Sequence, residues 1–130
     1  MFDPRELRGE YAVRMLTLMP SLHRLGHRKR FFAEGSNPGG TNLFFRSLRW
    51  GRFFLEEGLS DDPEPLPVVV INYDVPGNLW PTRTVRDHLR EVESGRRYLG
   101  RLNVLLQGRL RFLAYFSLSA KGTGLKSVPG

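Results

Sequence analysis

The chain has 130 residues, enough for one domain with a single buried core and too few for a second. It contains no cysteine, which excludes a disulfide framework, a thiol nucleophile and a thiolate metal site. The formal net charge is +7 and seventeen of the twenty basic residues are arginine. The arginines are spread from Arg5 to Arg111 and read first as a solvated basic surface, then as a nucleic-acid, lipid or acidic-ligand site.

Residues 1–8 are charged from the third position and carry no apolar export core, and no apolar run approaches the roughly 18 residues of a membrane span. A soluble, cytoplasmic protein with no transmembrane segment is the expectation. Residues 7–19 predict a first strand, with Tyr11, Val13, Met15 and Met19 on one face and Ala12, Leu16 and Leu18 on the other. Pro20 ends it, having no N–H for a ladder. Residues 21–30 read as a polar, basic connection holding His23 and His27. Phe31-Phe32-Ala33 is a short apolar patch, and the Gly-, Pro- and Asn-rich residues 34–41 predict a turn. Residues 42–47 and 48–57 predict two strands, with Gly51 marking a bend or bulge. Residues 58–65 form an acidic loop in which Asp61, Asp62 and Glu64 are solvated.

Residues 66–74 are apolar on both faces, as in a mid-sheet strand covered from each side. Val75-Pro76-Gly77-Asn78 suits a type II turn. Beyond it Thr84 reads as an N-cap, Asp87 stands where a capping box places its acid, and Val85, Leu89 and Val92 recur at helical spacing. Residues 84–92 therefore predict a short amphipathic helix, lying across a barrel mouth or against the sheet. Tyr98, Gly100, Leu102 and Val104 share one face of a penultimate strand; Leu110, Phe112, Ala114, Phe116 and Leu118 share one face of the last. A three-residue loop at 106–108 would set Val104 opposite Leu110, Leu102 opposite Phe112, Gly100 opposite Ala114 and Tyr98 opposite Phe116. Residues 120–130 predict a flexible tail. The sum is one mainly β domain over residues 1–119, with six or seven antiparallel strands and one short helix in a barrel or strongly curled sheet.

Lys29-Arg30-Phe31, Tyr73-Asp74, Val85-Arg86-Asp87-His88-Leu89-Arg90-Glu91-Val92, Leu99-Gly100 and Phe116 follow one another in an order that resembles lipocalin-like, or calycin-type, small barrels, particularly the GXWXG-type domains. In those a Gly-x-Trp-x-Gly strand precedes a Gly-Lys-x-Phe element, a Tyr-Asp pair, a short Asp/Arg-bearing helix, a Leu-Gly strand and a final aromatic strand. Here Gly9-Glu10-Tyr11-Ala12-Val13 stands in place of Gly-x-Trp-x-Gly, and Arg28 replaces the glycine before Lys29. The resemblance implies a lipocalin-like barrel and a small apolar ligand, and locates no reaction.

Candidate chemistry is sparse. His23 and His27 are four apart, but without a His-Glu-x-x-His pattern or further ligands they read as exposed histidines, and no metal site is assigned. Asp87 and His88, flanked by Arg86 and Arg90, suggest an acid–base pair, yet neighbours on a helix point about 100° apart and Asp87 serves better as a cap. Tyr73-Asp74 ends the buried strand and either lines a mouth or bonds the following turn. No nucleophile elbow or phosphate loop is present, so no catalytic residue and no cofactor is assigned.

Three readings follow. The first is a lipocalin-like binding protein with a small hydrophobic or amphipathic, even anionic, ligand in a barrel cavity. Tyr11, Met15, Trp50, Tyr98, Leu102, Phe112 and Phe116 would line it, and Arg101 or Tyr73 would hold a polar head. The small Gly100/Ala114 pair would leave room. The second is an isomerase, cyclase or hydrolase moving protons with Tyr73, Asp74, Asp87 or His88 in the same cavity. Nucleic-acid binding ranks last: arginines alternate with aromatics, but several of those rings are needed for the core. The ligand's identity and the oligomeric state are not written in the sequence.

Overall fold

The computed structural model describes residues 2–17, 26–34, 37–45 and 48–120. Eight strands run antiparallel in chain order: β1 (Gly9–Met15), β2 (Arg28–Glu34), β3 (Asn37–Phe44), β4 (Leu48–Leu59), β5 (Pro67–Asn72), β6 (Arg86–Glu93), β7 (Arg97–Leu106) and β8 (Arg109–Ala120). They close into a barrel, because β8 returns to β1 with Val13 opposite Leu118 and Met15 opposite Phe116. Closure pairs every strand on both sides and leaves no open edge.

Alternating burial builds the interior. Tyr11, Val13 and Met15 of β1 point inward together, as do Val69 and Ile71 of β5 and Ala114, Phe116 and Leu118 of β8. One end of the barrel is filled. A 3-10 turn over Pro4–Glu6, held by a reciprocal Asp3–Glu6 capping box, tucks Phe2 and Leu7 into the core. There the Phe2 ring lies 4.8 Å from Tyr98, which lies 5.7 Å from Tyr11. At the other end a single helical turn, α1 (Trp80–Arg83), brings Pro81 and Thr82 over the mouth.

Residues 66–74 behave as the apolar run predicts: Val68, Val69, Val70 and Ile71 are all buried. The following turn closes with the Asn78 N–H donating to the Val75 carbonyl at 3.1 Å, with Gly77 at φ +100°. Gly51 is the bulge, unpaired between Arg52 opposite Thr41 and Trp50 opposite Asn42.

Three local readings are corrected. Residues 84–92 are not a helix: Thr84 is the C-cap of α1, and β6 starts at Arg86, where β5 and β7 supply ladder partners on both sides. Pairing on two edges outweighs a weak helical period. Residues 37–41 are not a turn but the first half of β3, where Gly39 and Gly40 let β3 approach Phe53. The last hairpin is slipped by one residue beside its loop, where Val104 faces Arg111, and by two residues beyond a bulge. Its loop is Gln107-Gly108, both at positive φ, so Leu106 pairs with Arg109; Leu113 is then left unpaired as a bulge, and Leu102 faces Ala114, Gly100 faces Phe116 and Tyr98 faces Leu118. Gly100 leaves no void, since a Cβ there would stand 2.2 Å from the Phe116 ring. Of the expected tail, Ala120 belongs to β8, and residues 121–130 lie outside the described residues, as do Met19 and His23.

Candidate functional site

Inside the open end lies a cavity of about 270 Å³, lined by apolar Val13, Met15, Phe44, Val85, Leu102 and Phe116 and by a polar group of five: His27, Lys29, Asn42, Tyr73 and Asp87. Strand register places the five. Lys29 of β2 stands opposite Asn42 of β3, and Asp87 of β6 stands opposite Ile71 of β5, two residues before Tyr73. Lys29, Asn42 and Asp87 lie on inward positions of their strands, and His27 and Tyr73 stand one residue before β2 and one after β5, so side chains far apart in sequence meet at one point in the barrel.

Asn42 is the hub. Its Oδ1 accepts from Lys29 Nζ at 2.7 Å and from His27 Nε2 at 2.9 Å, and its Nδ2 donates to the Tyr73 hydroxyl at 2.9 Å. With Oδ1 as acceptor, the imidazole carries its hydrogen on Nε2. Lys29 Nζ also donates to the Tyr73 hydroxyl at 2.5 Å and lies 3.9 Å from Asp87 Oδ2. The rings of Tyr73, Phe53 and Phe116 surround the ammonium with centroids at 5.2, 5.4 and 5.7 Å. The Gly51 bulge completes the frame: at φ +79° it turns its carbonyl to Asn42 Nδ2 at 3.4 Å, and a side chain there would press on Asn42 and Tyr73.

Lys29 is 3% exposed and Asp87 2%, and this burial governs their protonation. Loss of hydration raises the Asp87 carboxyl to about 7, although the Lys29 charge and a backbone hydrogen bond from Asn103 pull it down. Burial likewise lowers the Lys29 ammonium to about 8 against the pull of Asp87. Burial, and then the charge of Asp87, raise the Tyr73 phenol well above its ordinary value, so it stays protonated. His27 is lowered to about 4 by burial and then by Lys29, and is neutral at physiological pH. It stacks on Phe44 at 4.5 Å.

Because His27 is depressed from its usual 6.5, the unfolded chain holds one more proton between pH 4 and 6.5, and stability is lost as the pH falls through that window. His27→Gln should therefore shrink the drop in urea midpoint between pH 7 and pH 4.5. An unchanged drop would show that His27 is as hydrated in the fold as outside it.

Among the residues expected to line a pocket, Met15, Trp50, Tyr73, Leu102 and Phe116 do line this cavity. Tyr11 and Tyr98 are buried in the filled end, where the Tyr11 hydroxyl donates to the Gly95 carbonyl at 3.3 Å. Arg101 and Phe112 are on the outer surface. The Leu113 bulge turns Phe112 out, 43% exposed, and the Arg101 guanidinium lies over its ring at 4.6 Å and reaches Asp62 at 3.7 Å. Asp87 and His88 take opposite faces of β6, so they form no pair: Asp87 enters the cavity, and His88 lies outside with Arg90, Arg101 and Tyr115. Asp74 is also outside, 2.7 Å from Arg83. His27 is no exposed loop residue, as the sequence suggested, but part of the site.

A wider groove of about 740 Å³ near Arg49, Arg52 and Leu79 has no comparable convergence of buried polar groups. Among the described residues no group of three or more His, Asp or Glu side chains is placed to hold a metal ion, and no helix is long and apolar enough to cross a membrane.

Fold and site together define a closed eight-stranded antiparallel barrel with an internal, polar-floored cavity. No family model, no curated protein and no solved structure matches the chain.

Proposed function

We propose that the protein is a lipocalin-like binding protein that holds a small hydrophobic or amphipathic molecule in the barrel cavity. The observation that carries the reading is the division of the cavity into an apolar wall and one buried polar cluster, the composition by which ligand sites fix orientation with few polar groups. The volume is below the roughly 300–1,000 Å³ of drug-sized sites, so the ligand is smaller than those. The Lys29 charge is already balanced by Asp87, so the floor suits a neutral polar head better than an anion. Of the rings that alternate with arginines, Phe53 and Phe116 are buried in the barrel, while Phe45, Trp50, Phe54, Phe112 and Tyr115 are exposed.

Native mass spectrometry of gently purified protein tests the reading by looking for a retained small molecule. Leu102→Trp, which fills the cavity, should abolish retention, whereas Arg101→Ala and Phe112→Ala on the outer face should leave it unchanged. Retention that survives Leu102→Trp and is lost in Arg101→Ala would place the ligand outside the barrel and end the proposal.

A second reading, acid–base catalysis in the same cavity, is favoured by one observation: Asp87 is a buried carboxyl group that opens onto the cavity.

A further inference from the structure

Two cavity-lining side chains each carry a hydrogen-bonding position that is unfilled among the described residues. The Tyr73 oxygen accepts from both Lys29 Nζ and Asn42 Nδ2, which occupies its lone pairs and leaves its own hydrogen without an acceptor among the described residues. Two donors on the oxygen, one of them cationic, also make that O–H a stronger donor. On the neighbouring strand Asp87 Oδ1 is buried and has no hydrogen-bond partner among the described residues. Both side chains line the cavity, and Lys29 lies between them, within reach of each. A polarised donor, a dry carboxylate and an apolar wall thus surround one small volume.

We propose that this cavity carries out proton transfer next to a carbonyl group, with a small, mostly apolar unsaturated ketone as the substrate class. The inference rests on the acid–base reading of the same cavity. The carbonyl oxygen accepts from the Tyr73 hydroxyl. Asp87 takes a proton from the adjacent carbon: the C–H bond breaks, an O–H bond forms on the carboxylate, and the electron pair moves through the new C=C onto the carbonyl oxygen. Tyr73, with the Lys29 charge behind it, stabilises that oxyanion. Asp87 then returns the proton to the far carbon of the double bond, the carbonyl re-forms, and a β,γ-unsaturated ketone leaves as its conjugated isomer. Nothing is oxidised or reduced and no water is consumed, so no co-reactant is needed. Asp87 and Tyr73 are the catalytic residues; Lys29 and Asn42 are positioning residues acting through Tyr73. The carboxyl group, raised to about 7, is a stronger base than an exposed carboxylate and still half ionised near neutrality.

Cyclohex-3-en-1-one serves as the probe. Its binding is followed by saturation-transfer NMR, its conversion by the ultraviolet absorbance of the conjugated enone, and proton transfer by deuterium uptake at the carbon beside the carbonyl in D₂O. The wild-type chain should speed exchange over buffer, with a rate rising as the pH passes through about 7 as Asp87 ionises. Asp87→Asn should lower the rate on the order of 100-fold or more with binding retained. Tyr73→Phe should lower it by a similar factor and carries the test should Asp87→Asn fail to fold. The outer-face variant Arg101→Ala should match wild type. Binding without exchange, or exchange indifferent to both substitutions, would overturn the chemistry and leave a binding protein. No binding of the ketone would overturn the carbonyl assignment, while the retained-molecule measurement independently decides whether the cavity binds anything.

Discussion

Replacing Lys29 with methionine should cost about 3 kcal/mol of folding stability at pH 7.5 and much less at pH 5. At the higher pH Asp87 is ionised in the native barrel, and the Lys29 ammonium 3.9 Å away is the cation that faces it there. Methionine fills much of the lysine's volume but removes the charge that holds Asp87 down, so at pH 7.5 the buried carboxyl either stays ionised without a counter-charge or takes up a proton that the unfolded chain does not hold. At pH 5 the carboxyl is protonated, so removing lysine strands nothing. The pair's own linkage has the matching sign. Asp87 is raised from 3.8 to about 7, so the folded chain holds the extra proton and stability falls as the pH rises across that window. Lys29 is lowered from 10.5 to about 8, so the unfolded chain holds the extra proton between those values and stability climbs again. The pair's contribution is therefore least favourable between about pH 7 and 8, where both groups are charged. Urea midpoints for wild type, Lys29→Met and the double variant Lys29→Met with Asp87→Leu check this. The double variant should recover most of the loss, since an apolar pair replaces a lone charge. Equal losses for Lys29→Met at both pH values would mean that the ion pair is not what Lys29 provides.

Gly40→Ala is expected to be nearly as damaging, about 3 kcal/mol, for a steric reason. A Cβ at Gly40 would stand 2.2 Å from the Arg30 carbonyl oxygen and 2.7 Å from the Phe53 ring. The ring can move, but the carbonyl belongs to β2, whose pairing with β3 sets the Lys29–Asn42 contact. Phe53→Leu placed in the same chain should therefore restore only part of the loss. Thermal and urea unfolding of the single and double variants measure it; full rescue by Phe53→Leu would show that the backbone contact is slack.

Much of the barrel is legible in the alternation of single strands. Tyr11, Val13 and Met15 share a face by spacing alone, and four successive buried residues at 68–71 announce a strand covered on both sides. The residues quoted for the lipocalin-like resemblance include Lys29, Tyr73 and Asp87, which the fold gathers into one cluster, although they are scattered along the chain. A compositional signal for Lys29 was present as well: it is the only lysine before position 121 in a chain with seventeen arginines. Where a long cation must sit in an apolar cavity and be free to lose its proton, arginine does not serve.

The misread segments are those where local and long-range rules conflict. Residues 84–92 look helical because Asp87 breaks the apolar alternation of Val85 and Leu89, and an acid at an inward strand position makes no sense until Lys29 is beside it. Gly39 and Gly40 look like a turn because the crowding by Phe53 that requires them comes from another strand. Phe112 was expected in the pocket because register counted back from the hairpin loop does not anticipate the Leu113 bulge, whereas Arg101 alternates with the inward Gly100 and Leu102 and so stands on the outer face by strand spacing alone. The chain by itself determined a mainly β domain and most of its inward faces, since period and turn chemistry act between near neighbours. Tertiary structure alone decided that the sheet closes, that one end stays hollow, and that a lysine, a tyrosine and an aspartate share that hollow. Burying a charge is tolerable only in the presence of its partner, and here each partner lies on a different strand.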